Sequence, residues 1–186
     1  MIGRKNIAFG FLYLVLTAAL GPYMIKAYFP TLDQAQQAKQ AVMGPLQLLA
    51  NNNFEKDLEP ITADALAKEN TKAILAVNQV SNAQAPIDAI KGGPHTHGNL
   101  ESVLNILVGL ALCFIGAPVL IKELISWIFI LGALLHSGML YLVTFNVAWA
   151  GTVLGTGVGP VLVLLGLLLA GLAAAIWFRP EVVRDR

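Results

Sequence analysis

NLESVLNILVGLALCFIGAPVLIKELISWIFILGALLHSGMLYLVTF, residues Asn99 to Phe145, is the stretch that decides the fold of this chain. Full charges interrupt its apolar character only at Glu101 and at Lys122–Glu123. Each of the two apolar runs, at about 1.5 Å of helical rise per residue, can cross a hydrocarbon core of about 30 Å. We therefore predict two transmembrane helices, Asn99–Ile121 and Leu124–Phe145, joined as a tight antiparallel hairpin.

Two further apolar runs extend this pattern on either side. Ile7–Phe29 follows Arg4 and Lys5, and we interpret it as an uncleaved N-terminal anchor rather than a cleaved signal peptide. Val161–Phe178 contains no charged residue and is just long enough to span. Because lipid offers no hydrogen-bond partners to an open backbone, all four runs are predicted to be helices.

The composition agrees with this reading. Hydrophobic residues make up 56% of the 186 residues and charged residues only 12%, whereas soluble domains carry about 25% charged residues. The net charge of +1 argues against a bulk electrostatic attraction to nucleic acid. Cys113 is the single cysteine, which excludes an intramolecular disulfide and a cysteine-based zinc motif. The predicted fold class is an all-α integral membrane protein with four transmembrane helices.

Lysine and arginine near the span ends predict the orientation, because these residues concentrate on the cytoplasmic side. One side collects Arg4, Lys5, Lys122, Arg179, Arg184 and Arg186. Both termini are therefore predicted to face the cytoplasm from the inner membrane. The predicted domains are an N-terminal transmembrane anchor (1–29), an extracytoplasmic helical segment (30–98) and a three-helix transmembrane region with a short cytoplasmic tail (99–186).

The extracytoplasmic segment is predicted to form two weakly packed helices around a turn at Asn51–Asn53. Gly44–Pro45 is predicted to kink the first helix. The apolar stripe of the second helix comprises Leu66, Ala73, Val77 and Val80. Phe54 is the only Phe, Tyr or Trp between Pro30 and Gly98, so the segment has too few large side chains for an independent core. We expect it to lie against the membrane surface, an outer loop or another subunit.

The histidines concentrate around the second and third spans. If the second span starts by His97, then His97, Glu101 and Asn105 share one helix face, which is expected to point into the bundle. If the span instead begins at Asn99, His95 and His97 lie in a loop at the membrane surface.

His136 is the histidine of the third span. It falls in the predicted outer half of that span, and neighbouring spans bring it toward the His97 face. We therefore predict that His136 faces the bundle interior. Gly132, one turn earlier, is expected to leave room beside it for a flat group or a close helix.

Three chemistries are open to these side chains. Two histidines on facing helices can ligate a b-type haem, so His97, His136 and His95 are candidate haem-binding residues. The three histidines with Glu101 are candidate copper or zinc ligands, because imidazole suits both metals. A proton path through the same groups is the third option. The structural alternative is that His95 and His97 are interfacial and His136 bonds a neighbouring helix.

The segment His95–Asn99, followed by an apolar helix with Gly109, is similar to the His-x-His-x-Asn entry of some bacterial membrane proteins related to the large subunit of haem–copper oxidases. That resemblance is confined to this short segment. The other histidine ligands of those proteins are absent from this chain, so we make no family assignment.

The sequence thus predicts a small integral-membrane subunit with a redox- or metal-linked histidine site at the outer ends of the second and third spans. The alternative function is a non-catalytic accessory subunit that packs against a larger membrane complex. Predicted partners are the lipid bilayer and other membrane subunits or further copies of the chain, but no nucleic acid. Whether the protein is an enzyme stays open, because no Ser-His-Asp or Cys-His arrangement stands out.

Overall fold

The computed structural model describes residues 1–56 and 59–185 and is mostly helical. Its helices are α1 (Gly3–Ala18), α2 (Leu20–Asn51), α3 (Ala63–Ile90), the π-helix π1 (Lys91–His95), α4 (Thr96–Leu112), α5 (Val119–Ala133), the π-helix π2 (Leu134–Gly138), α6 (Met139–Thr144), α7 (Ala148–Gly155) and α8 (Val158–Trp177). Two short strands, β1 (Glu55–Lys56) and β2 (Glu59–Pro60), pair antiparallel.

Within the described residues, three helical stretches are long and apolar enough to cross a membrane: Gly3–Asn51, Val119–Thr144 and Val158–Trp177. The predicted class, a mostly helical membrane protein, is confirmed at that level. The chain divides into a first unit, Met1–Gly21 with Ala89–Arg186, and a second unit, Pro22–Asp88.

In the first unit, α1 and α4 pack antiparallel with their backbones in direct contact. A Cβ atom on Gly3 would lie 2.0 Å from the Gly109 carbonyl oxygen, and one on Gly98 would lie 2.4 Å from Thr17 Cγ2. Small and polar residues repeat at spacings of three and four along the buried face of α1: Gly3, Asn6, Gly10, Tyr13 and Thr17. Small residues are typical of membrane helix pairs, because they let two backbones approach closely.

Helices α5 and α8 form a second antiparallel pair in the first unit. A Cβ atom on Gly159 would lie 2.5 Å from the carbonyl carbon of Leu135, and one on Gly166 would lie 2.9 Å from the Phe129 ring. Helix α4 joins the two pairs, since the Asn105 side chain donates to the Phe129 carbonyl oxygen at 3.3 Å. A buried apolar cluster lies at the α4–α5 turn: Val108, Leu112, Ile115, Ala117, Ile125, Phe129 and Ala173.

The turn after α4 lies earlier in the chain than predicted. It comprises Cys113–Pro118, so Lys122–Glu123 belongs to α5 and does not connect two spans. Pro118 lacks a backbone N–H and disfavours a helical residue before it, which separates the two helices at this point. Lys122 is only 1% exposed, because its ammonium group turns inward and pairs with Asp185.

The first apolar run also differs from its predicted bounds, because the helix does not end at Phe29. Ala19 alone separates α1 from α2, and Pro22 falls in the first turn of α2, where a proline is tolerated. Helix α2 then continues through Pro30 and Pro45 to Asn51, and the kink predicted at Gly44–Pro45 stays a prediction.

The second unit contains the two predicted helices and the turn between them. Asn53 and Phe54 adopt positive φ values of 51° and 62° where α2 ends, as predicted for a turn at this place. The inward face of α3 agrees with the predicted stripe at Ala73, which is buried, and differs from it at Val77, which is 46% exposed. Ala76, outside the predicted stripe, is buried as well. The other buried apolar side chains among the described residues of this unit are Met24, Leu32 and Ile87.

Candidate functional site

Glu101 is the centre of the candidate site. Helix α4 starts at Thr96, directly after π1, so His97, Glu101 and Asn105 lie on one helix face, as predicted for an early start. Glu101 and Asn105 are 4% and 1% exposed, and His97 is partly exposed. A carboxyl group therefore lies inside the helical bundle, in the middle of a face that runs from the partly exposed His97 to the buried Asn105.

The π-helix π2 brings two consecutive side chains to this carboxyl group. His136 Nδ1 lies 2.5 Å from Glu101 Oε1, and Ser137 Oγ donates to Glu101 Oε2 at 2.5 Å. Adjacent residues of a regular α-helix point about 100° apart, whereas a π-turn inserts one residue and changes that register locally. The wide turn at Leu134–Gly138 thus lets His136 and Ser137 bind the same carboxylate.

The hydrogen-bond chain continues from Ser137 to α1. The Tyr13 hydroxyl lies 2.9 Å from Ser137 Oγ, and both residues are buried. Because a carboxylate only accepts hydrogen bonds, His136 Nδ1 carries a proton whenever Glu101 is ionised, and Ser137 turns its proton to the same group. Tyr13 then donates to Ser137, which gives one ordered chain across α1, π2 and α4.

The other two histidines occupy different positions relative to this chain. The His97 ring contacts the His136 ring, with 4.8 Å between ring centroids and 58° between planes. His95 does not join them: its Nδ1 lies 3.0 Å from the Thr17 carbonyl oxygen at the end of α1. The structure therefore brings together His97, His136 and Glu101 of the predicted set and leaves His95 apart.

The haem hypothesis can be compared with these distances. Metal–nitrogen bonds of about 2 Å hold the centroids of two imidazoles on opposite faces of a haem about 6 Å apart. The observed 4.8 Å is shorter, so a haem between His97 and His136 requires the two rings to move apart. Gly132 does not supply the room expected, because Val163 fills that place and a Cβ atom there would lie 2.9 Å from its Cγ2. The haem hypothesis stays a prediction, and an absorption spectrum checks it.

The copper or zinc hypothesis also stays a prediction. Among residues 1–56 and 59–185, no group of three or more His, Cys, Asp or Glu side chains is arranged to hold a metal ion. The Glu101 carboxylate already accepts hydrogen bonds at both oxygens, and His136 offers only Nε2 beyond its contact with Glu101.

Tyr13 and Ser137 are site residues that the sequence reasoning missed. Ser137 adjoins His136, but helical periodicity assigns adjacent residues to different faces, and the π-turn is not visible in the sequence. The inward position of Tyr13 could have been predicted from the sequence, because Gly3, Gly10 and Thr17 lie on the same helix face as Tyr13. Such a stripe of small and polar residues in an apolar helix marks the face that packs against another helix.

A second charged cluster lies where the two termini meet. Lys122 Nζ donates to Asp185 Oδ1 at 2.5 Å, and the Ile2 backbone N–H donates to Asp185 Oδ2 at 2.7 Å. Burial raises the pKa of the Asp185 carboxyl group, but these hydrogen bonds and the positive charges of Lys122 and the N-terminus outweigh it, so the pKa lies below its ordinary value. The cluster therefore holds a buried ion pair between α5 and the C-terminal tail.

No protein-family model, no curated protein and no solved structure matches this chain.

Proposed function

We propose that this chain is a small integral-membrane protein whose Glu101–His136 pair takes up and releases protons. The observation that carries the proposal is a buried carboxyl group beside an imidazole inside a helical bundle, with hydrogen bonds to both carboxyl oxygens. Ionisable groups at membrane depth are costly, and proteins retain them chiefly for ion and proton transfer. Histidine suits this role because it exchanges protons near neutral pH.

The proton route runs from His97 to Glu101. In the proposed route, the partly exposed His97 takes a proton from water, the two contacting rings turn to form a hydrogen bond, and the proton passes to Nε2 of His136. The proton on Nδ1 of His136 then moves to Glu101 Oε1, which leaves a neutral imidazole of the opposite tautomer and a neutral carboxylic acid. Release reverses these steps. Tyr13 is the other titratable residue of the hydrogen-bond chain that contains Glu101, His136 and Ser137. Its hydroxyl group contacts Ser137, and its ring lies near Tyr141.

Infrared difference spectroscopy tests the proposal directly. Spectra of the purified protein at about pH 5 and about pH 8, the range in which histidine exchanges protons, are expected to contain a carboxyl band from Glu101. Glu101→Gln removes that band. Glu181→Gln is the matched control, because Glu181 is exposed on the C-terminal tail, and this variant keeps the band. Identical difference spectra for the wild type and Glu101→Gln would refute the proposal.

The proposed topology has four spans, with α4 as the additional one. Helix α4 has 17 residues, but it runs antiparallel to α1 from the Gly3–Gly109 contact to the Thr17–Gly98 contact. Because α4 is paired with α1 over this length, α4 crosses the membrane if α1 does. We place both termini in the cytoplasm of an inner membrane and residues 30–98 outside, from the distribution of lysine and arginine.

A role as an accessory subunit is the second candidate, and exposed apolar side chains on α3 favour it. Helix α3 is not among the candidate spans, yet Ile74, Leu75 and Val77 are 63%, 57% and 46% exposed. Exposed apolar patches mark contacts with other proteins or with a membrane surface. Size analysis in mild detergent, corrected for the micelle, is expected to give a particle larger than one chain. A single chain without a partner would count against this candidate.

A further inference from the structure

A second buried polar cluster lies one helical turn from Glu101, toward the end of the bundle where the termini meet. It consists of Asn6 on α1, Asn105 on α4 and Ser126 on α5, each at most 1% exposed. Asn6 Nδ2 donates to Asn105 Oδ1 and to the Ser126 carbonyl oxygen, both at 3.0 Å. The Ser126 hydroxyl donates to Asn6 Oδ1. The cluster therefore ties three helices together.

The hydrogen-bonding capacity of both amide nitrogens in this cluster is fully used. Asn105 Nδ2 donates to the carbonyl oxygens of Glu101 and Phe129, at 3.0 and 3.3 Å. Each amide NH2 group thus makes both of its hydrogen bonds, and each amide oxygen accepts one. Rearranging this network breaks bonds in a buried, low-dielectric place, where an unmade hydrogen bond is expensive.

Glycine contacts close the space on both sides of Asn6. A Cβ atom on Gly3 would lie 2.0 Å from the Gly109 carbonyl oxygen, and one on Gly10 would lie 2.6 Å from the Ser102 carbonyl oxygen. At both contacts the backbones of α1 and α4 touch, so no water molecule fits directly between the two helices there. The α1–α4 interface therefore has no room for a file of water beside the amide pair at these two contacts.

We propose that the paired carboxamides of Asn6 and Asn105 form a proton seal, with the Ser126 hydroxyl group holding Asn6 in place, so that the Glu101–His136 pair exchanges protons only through the His97 end of the bundle. A proton moves along a hydrogen-bonded chain only through groups that accept one proton and donate another, as hydroxyl, imidazole, carboxyl and water do. A carboxamide has separate donor and acceptor atoms and no readily titratable proton, and here its bonds are fixed. The inference rests on the proposed proton-exchange function and adds its sidedness.

Proton flux into liposomes that carry the full-length protein and an internal pH dye tests the seal. After an external pH step, wild-type protein and Glu101→Gln are expected to give the same rate of internal pH change. Asn105→Asp is nearly isosteric and places a titratable carboxyl group in the seal, so we expect a severalfold faster rate. The double variant Asn105→Asp with Glu101→Gln returns to the wild-type rate.

The matched control is Asn99→Asp, which makes the same change on the same helix at the His97 end, where Asn99 accepts from Thr17. It is expected to leave the rate unchanged. If Asn105→Asp does not fold, as judged by helix content and size, Asn6→Ser opens space in the same cluster and is expected to raise the rate too.

Two results would overturn the seal. One is a wild-type rate that exceeds the Glu101→Gln rate, and the other is an unchanged rate in the folded variants of Asn105 and Asn6. Failure of the proposed function gives a different result, because the Glu101 carboxyl band is then absent from the infrared difference spectra.

Discussion

The helices of the first unit approach most closely at glycines, where backbone atoms of a neighbouring helix lie at the position that a Cβ atom would take. These glycines are Gly3, Gly10, Gly109 and Gly159. Gly159 meets the backbone of π2 at His136, so α8 supports the turn that presents His136 and Ser137 to Glu101. In lipid, where apolar burial gives little drive for association, such close packing supplies much of the attraction between helices.

The Gly159→Ala variant is expected to be destabilised by about 1 to 3 kcal/mol, the usual cost of overpacking. Its Cβ atom would lie 2.5 Å from the His136 backbone nitrogen. Gly171→Ala is the control on the same helix, since no atom lies within 4 Å of a Cβ there. That change is expected to be neutral or to stabilise by up to about 1 kcal/mol through helix propensity. Unfolding of the purified variants with increasing SDS measures both, and equal effects would contradict the packing described.

Replacing His95 of π1 and His97 of α4 by alanine is expected to lower the free energy of unfolding by different amounts. His95→Ala removes the hydrogen bond to the Thr17 carbonyl oxygen, a loss of about 0.5 to 1.5 kcal/mol. His97 makes no hydrogen bond with the described residues, so His97→Ala is expected to change the free energy of unfolding less. The same SDS titration compares them. A larger loss for His97→Ala would show that its contact with His136 is structural.

At the scale of elements, the C-terminal tail holds the α4–α5 turn against the end of α8. Backbone hydrogen bonds of 2.8 Å join Gly116 to Trp177, Arg179 to Phe114 and Val183 to Cys113. Asp185 then closes the tail onto the buried Lys122 and the N-terminus. Burying Lys122 is tolerable only with this partner, since a buried unpaired charge is costly.

The Lys122–Asp185 pair is expected to make stability depend on pH. The pKa of Asp185 in the folded protein lies below its ordinary value, so its contribution is present above the ordinary value of about 3.9 and is lost as pH falls through the lowered folded value. At pH 7, Asp185→Asn is expected to cost about 3 to 5 kcal/mol, the range for breaking a buried pair. The difference from wild type then shrinks at acid pH.

Thermal unfolding in detergent between about pH 7 and about pH 3 checks this expectation. Glu181→Gln is the control, because Glu181 is exposed on the same tail. A cost of Asp185→Asn that stays constant across this range would show that the ion pair does not contribute to the stability.

At the scale of the whole molecule, the two chain ends meet, because the Ile2 N–H donates to Asp185. Both termini therefore lie at one end of the first unit, which requires an even number of crossings in the proposed membrane topology. Cysteine labelling in a Cys113→Ala background tests it. A cysteine at Asn52 is expected to react with an impermeant reagent in intact cells, and one at Glu181 only after the membrane is permeabilised. The reverse pattern would overturn the proposed orientation.

The sequence by itself determined the class of this protein and the approximate place of its apolar helices. Long uncharged runs have one stable solution in lipid, because only a helix satisfies its own backbone hydrogen bonds there. The shared face of His97, Glu101 and Asn105 also followed from spacing, since α-helical periodicity depends only on the chain itself. His95 and His97 could not be separated in this way, because their neighbours come from other helices.

Only the tertiary structure decided which side chains complete the site. Ser137 reaches Glu101 through the π-turn, and Gly159 of α8 contacts that turn at His136. Neither the local change of helical register nor this contact follows from residue spacing along one helix. The sequence predicts that Lys122 lies in the connection between two spans. In the structure it is buried, because its ion-pair partner Asp185 comes from the C-terminal end of the sequence. The partner of a buried polar group is set by which helices meet, and periodicity along one helix carries no information about that.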